Sequence, residues 1–276
     1  MKKFRFSMIF CALAFFTILA CMLSGCATGP KEENAIPELE EPVSYEQIFP
    51  AQYKKGLERA EQIETILIQK GCSIEEAHFA AAVVFPELTR YKSFRGSLES
   101  IAVKYSSKDY SIGIMQMKMS FAVEIEQQLG TLSKDGIKLS EKYPAINFGG
   151  TNETSRDRKN RAKRLINTKT QCDYLLAFID VYSVISGQSE VNRDGTEYEE
   201  QNHKTRGGLP GSGGVANTIA LRQTATAYNA GFQLPKEKLE QFAKKTGFPY
   251  GGRSPKSHWN YGAIAEEYYA GYNSRK

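Results

Sequence analysis

Glu87 stands directly after an apolar run, Phe79-Ala-Ala-Ala-Val-Val-Phe85, and a proline, Pro86. A carboxyl held between Phe85 and Leu88 loses solvation when it ionises, so its proton affinity is expected to rise. A carboxylic acid kept protonated near neutral pH can give a proton to a leaving oxygen, such as that of a glycosidic bond. A surface glutamate at a helix end, or one paired with Arg90, fits the same residues. Two later segments carry groups of the kind a ligand cleft uses. In Ser111-Ile-Gly113-Ile-Met-Gln116-Met117 the glycine permits close backbone approach and the glutamine offers both a donor and an acceptor. A turn leading into a buried strand or helix is the plainer account of that segment. In Ala227-Tyr228-Asn229-Ala230-Gly231 a phenol and an amide end a helix that Gly231 also suits as a C-cap.

The elements that must position these groups are helical. Leu57, Ala60, Ile63 and Leu67 recur every three to four residues and predict a helix over 53–70, stopped by Gly71. Ser73 and Glu76 have capping-box spacing and open a second helix from Ile74 to about Phe85. That helix is apolar on nearly every side after His78, so it is expected to be buried, with Pro86 ending or kinking it. Further helices are predicted over 98–105, 121–129, 172–185, 216–228, 236–245 and 262–272. Alternating strand patterns are nearly absent, so the fold class is mainly α. Two long stretches, 134–167 and 188–214, are expected to be irregular, and loops of that length are usually functional.

Composition narrows the function. The 276 residues carry 36 Lys+Arg against 31 Asp+Glu, a formal charge of +5, with 41% hydrophobic residues. Such a balance is globular and lacks the strong basic footprint of a nucleic-acid binder. Part of it is targeting information. Lys2, Lys3 and Arg5 precede an apolar run from Met8 to Met22, and Leu23-Ser24-Gly25-Cys26 closes it. This segment resembles a bacterial lipoprotein signal, which implies cleavage after residue 25, acylation of Cys26 and a membrane anchor without a transmembrane span. Ala27 after Cys26 favours outer-membrane sorting, facing the periplasm, where neither ATP nor a nicotinamide cofactor is expected. Residues 26–43, with Pro30, Pro37 and Pro42, read as a flexible tether, and 44–276 as one domain. Cys72 and Cys172 remain in that domain, either as a disulfide or as two buried thiols. His78, His203 and His258 have no ligand spacing, so no metal is expected. The most basic run, Arg156 to Arg164, fits a solvated face or a guide for anionic wall polymers. Gly207 to Gly214 lacks a Gly-Lys-Ser/Thr ending and reads as a flap.

Taken in order, the apolar helix with Glu87, the Gly113-Ile-Met-Gln116 segment and Ala227-Tyr-Asn-Ala-Gly231 resemble the lytic transglycosylases of the goose-type lysozyme fold. Asn260-Tyr261 before a last helix completes the set. The resemblance covers roughly residues 74–272 and implies a mainly α, lysozyme-like domain with long loop insertions, acting on peptidoglycan strands. It implies Glu87 as the catalytic acid and base, with Ser111, Gln116, Met117, Tyr228, Asn229 and Tyr261 binding glycan or orienting Glu87. The substrate's own acetamido group would replace a second protein carboxylate. The chain departs from the family in three places. Leu88 stands where a serine commonly follows the acid, Met119 where a proline often follows the glutamine, and Gly113 comes 26 residues after Glu87. A rival acid is Glu99, followed by Ser100 and only 14 residues before Gly113. A hydrolysing muramidase, with Asp109 positioning water, and a non-catalytic wall-binding lipoprotein are the alternatives.

Overall fold

The computed structural model describes residues 44–91, 109–134, 138–146, 154–187, 214–245 and 260–271. The signal segment, Cys26, the tether, Glu99, the helix expected over 98–105 and the flap before Gly214 lie outside the described residues. Of the two units into which the chain divides, the one from Val43 to Lys276 holds every described element. Among the described residues the fold is mainly α, as the helical periodicity and the near absence of alternating strand patterns predict. In chain order the helices are α1 (Tyr45–Ile48), α2 (Pro50–Gln69), α3 (Ile74–Arg90), α4 (Met119–Lys134), α5 (Ser155–Ile166), α6 (Thr168–Ile185), α7 (Gly214–Ala230), α8 (Lys236–Lys244) and α9 (Tyr261–Ala270). Two short strands, β1 (Ser111–Ile112) and β2 (Met117–Lys118), precede α4, and a 3-10 turn spans Lys138–Lys142.

The core is built around α3, which packs against α2, α6, α7 and α9. Its residues from Ala80 to Phe85 are all fully buried, so no face is left for water. The start of α3 follows from its sequence: Ser73 Oγ accepts from the Glu76 backbone N–H, and the Glu76 carboxylate accepts from the Ser73 N–H. The end does not. Pro86 neither ends nor breaks the helix, which runs on to Arg90 and leaves Glu87 within its last turn. Proline removes an N–H and so leaves the Ala82 carbonyl, one turn earlier, without its usual helical donor, while side chains meet carbonyls of the last turn. Thr89 Oγ1 donates to the Pro86 carbonyl at 2.9 Å, and the Arg59 guanidinium from α2 donates to the Leu88 carbonyl.

A second correction concerns 134–167, which contains α5. Thr154 caps that helix, with its hydroxyl accepting from the Asp157 N–H while the Asp157 carboxylate accepts from Thr154. Among the described side chains of α5 only Arg161, Ala162 and Leu165 are buried, so its apolar stripe is too thin to register as periodicity. What holds α5 is charge. The buried Glu126 carboxylate on α4 accepts from Arg161 Nε at 3.0 Å, Arg161 Nη2 at 2.6 Å and Arg164 Nη2 at 2.9 Å. The Tyr174 hydroxyl of α6 also donates to it, and burial with the adjacent Glu126 charge pushes the Tyr174 phenol well up. Two cations of the basic run are thus consumed inside the fold.

Cys72 and Cys172 are two buried thiols rather than a disulfide, and burial pushes the Cys172 thiol up to about 12. His78 is a core histidine. It bonds Glu64 through Nδ1 at 2.6 Å and stacks on Tyr269 with ring centroids 5.0 Å apart. Among the described residues no helix is long and apolar enough to cross a membrane.

Replacing Glu126 by Ala would strand two arginines and a phenol in the interior. The variant is expected to lose about 3–5 kcal/mol of stability, read from the midpoint of urea denaturation at constant slope. A loss under 1 kcal/mol would mean that α5 does not depend on this cluster.

Candidate active site

The turn between β1 and β2 holds the one non-glycine residue at positive φ among the described residues. The strands pair antiparallel, Ser111 opposite Lys118 and Ile112 opposite Met117, leaving Gly113-Ile-Met-Gln116 to reverse the chain. Both ends of that turn are left-handed, Gly113 at φ 71° and Gln116 at φ 51°. A glutamine there is uncommon and costs about 1 kcal/mol or more, so the surroundings must hold it. Its own side chain does part of this: Nε2 donates to the Gly113 carbonyl at 2.8 Å, and its backbone N–H reaches the same oxygen at 3.1 Å. A buried amide does the rest. Gln171 of α6 is fully buried and donates to the Ile112 carbonyl at 2.7 Å, while its oxygen accepts from the Met115 N–H at 3.5 Å.

Helix α7 brings the second segment. Gly231, at φ 100°, ends the helix and its N–H donates to the Ala227 carbonyl at 2.9 Å. Tyr228 is pinned by rings, with Phe121 at 5.2 Å and Phe178 at 5.6 Å between centroids, both close to edge-on. Its hydroxyl donates to the Met115 carbonyl at 2.8 Å, tying α7 to the hairpin turn. Burial, and secondly the nearby Glu87 charge, raise the Tyr228 phenol well above its usual range, so it stays a donor. Beside it, Asn229 Nδ2 donates to Glu87 Oε1 at 3.2 Å. The C-cap of α7 and the contact with Glu87 are therefore one feature.

These pieces surround a cavity of about 190 Å³. Glu87, Ser111, Gln116, Met117, Tyr228 and Asn229 all line it, so the structure brings together residues spread over 143 positions of sequence. Tyr261 is placed elsewhere. The Asn260 side chain caps α9 by accepting from the Ala263 N–H at 2.7 Å, and Tyr261 follows it into the core, fully buried and outside the cavity lining. Asp109, expected as a positioner of water, has both carboxylate oxygens on Ser120: one accepts from the N–H at 2.9 Å, the other from the hydroxyl at 2.6 Å. It caps the first turn of α4.

The structure also adds residues that sequence reasoning missed. Glu124 and Lys118 line the cavity, and Gln171 supports it from below. Glu124 had no motif around it, although its position one helical turn after Ser120 put it on the same side of α4. Gln171 sits at the start of an apolar helix and is a polar residue in a run destined for burial, which was a usable signal. Among the described residues no group of three His, Cys, Asp or Glu could hold a metal ion. No family model, curated protein or solved structure matches the chain.

A methyl group at Gly113 would come within 2.5 Å of both Gln171 Nε2 and the Leu165 carbonyl oxygen. Gly113→Ala is expected to cost at least about 2 kcal/mol through strain and overpacking. Gly71→Ala, at φ 91° but with nothing within 4 Å, should cost only about 1 kcal/mol. Denaturation midpoints of the two variants check the difference, and equal losses would remove the close approach as the reason for glycine.

Proposed function

We propose that the protein is a peptidoglycan lytic transglycosylase with a lysozyme-like domain, anchored as an outer-membrane lipoprotein through Cys26. One observation carries this reading: the Asn229 amide reaches Glu87 inside a cavity also lined by Ser111, Gln116 and Met117. Segments that resemble one enzyme family in sequence order thus supply groups to one site.

In this reading Glu87 carries out both halves of the reaction. It protonates the oxygen linking N-acetylmuramic acid to N-acetylglucosamine, while the substrate's acetamido oxygen stabilises the positive charge developing at the muramic C1. As carboxylate it then takes the proton of the muramic 6-hydroxyl, which attacks C1 and closes a 1,6-anhydro ring. Asn229 fixes one oxygen of Glu87 through its N–H and so orients the carboxyl for the proton transfers. A helix buried on all sides gives the carboxyl a fixed origin, and Tyr228 holds the hairpin turn at a set distance from α7. Ser111 and Gln116 supply polar contacts for hydroxyl or acetamido groups. The capped state of Asp109 weakens the hydrolytic alternative in which that residue positions water.

The test uses purified sacculi and mass analysis of the released fragments. Wild-type protein is expected to yield anhydromuropeptides, lighter by one water than hydrolysed products. Glu87→Gln should lower the rate by at least about 100-fold, the lower bound for loss of a general acid, and Glu99→Gln should leave it within a factor of two. The reverse pattern would move the acid to Glu99. Sacculus binding without turnover by the wild-type protein would replace this reading with that of a wall-binding lipoprotein.

A further inference from the structure

Two carboxyls line the cavity, and only one belongs to the family resemblance. Glu124, in the second turn of α4, is half-buried there beside Ser120 and Lys118. Its neighbours do nothing to settle it. Among the described residues it has no hydrogen bond and no ion pair, whereas Asp109, the acid whose charge acts on it, is fully engaged by Ser120. Burial, and then the Asp109 charge, hold the Glu124 carboxyl above its usual range. A half-buried carboxyl facing a like charge has no stabilising partner in the free protein, which leaves its hydrogen-bonding capacity to a ligand entering the cleft.

We propose that Glu124 is a glycan-binding, specificity-determining residue of this cleft, whose carboxylate accepts a hydrogen bond from a hydroxyl or acetamido N–H of the bound sugar. The assignment rests on the transglycosylase reading above. An ionised carboxylate only accepts, so it selects a sugar edge rich in donors. It also repels the lactyl and peptide carboxylates of peptidoglycan. The part of the strand lying over α4 is therefore a neutral sugar edge, with the anionic stem directed away from Glu124.

The experiment compares wild type, Glu124→Gln and Glu87→Gln on sacculi, with steady-state release of anhydromuropeptides and thermal unfolding as the two readouts. Glutamine keeps the shape and one acceptor oxygen but loses the charge. Glu124→Gln is expected to raise the apparent KM about tenfold, the worth of a charge-assisted hydrogen bond, with kcat within about threefold. Its Tm should equal or exceed that of wild type, since no native partner is lost. A lowered Tm would make Glu124 a structural residue and overturn the proposal. So would an unchanged KM, and so would a collapse of kcat at constant KM, which would put Glu124 in the chemistry. Wild-type protein that releases no fragments would sink the transglycosylase reading and this inference with it. Wild-type turnover with an unaltered KM in Glu124→Gln would sink the inference alone.

Discussion

The cavity depends on a helix whose central turns water never touches. Residues Ala80 to Phe85 of α3 are buried on every face, so the helix can neither slide nor turn without opening the contacts of four neighbours. That immobility is what a catalytic carboxyl needs, because reacting groups must be held within fractions of an ångström. The difficulty is that the buried central turns of such a helix have no place for a carboxylate, which must lie beyond them. The last turn of α3 solves this by carrying Pro86 without breaking. Thr89 and Arg59 satisfy the carbonyls there, so Glu87 emerges from a regular helix and inherits its rigidity.

The opposite wall is held by a different device. The hairpin turn contains two left-handed residues, a conformation that Gly113 adopts freely and Gln116 does not. The buried Gln171 amide grips the turn through Ile112 and Met115, and Tyr228 grips it again at Met115. Strain of this sort survives only where the surroundings over-determine the backbone. Here they belong to α6 and α7, so the turn is located by the same helices that pack on α3. Glu87 and Gln116 are thus fixed relative to one another without a direct covalent or strand connection.

Much of this was legible beforehand. The capping box at Ser73, the stop at Gly71 and the apolar stripe of α2 follow from local chemistry, and the structure has them where the spacing puts them. The grouping of Glu87 with Ser111, Gln116 and Tyr228 to Asn229 followed from a resemblance in sequence order. What escaped was non-local. Pro86 reads as a breaker, yet the packing of α3 against four other helices carries it past the proline to Arg90. Helix α5 reads as a polar loop because its main buried anchor is an arginine, and a charge counts as surface until its partner is known. Tyr261 stood next to a motif, yet the Asn260 cap directs that position into the core. Periodicity reports which residues are apolar, while compensation of buried polar groups is decided by partners far along the chain.

Helix α4 states the division most sharply. Glu124 and Glu126 are the same residue type two positions apart, so they project about 200° from one another around the helix. Glu126 faces inward to α5 and α6, where two arginines and a phenol meet both of its oxygens. Glu124 faces the cavity, where no described residue meets either. Helix propensity and charge are identical for the pair, so neither explains the difference. The partners do: on one face the carboxylate is spent on holding the fold, and on the other its hydrogen-bonding capacity is left open to whatever enters the cleft.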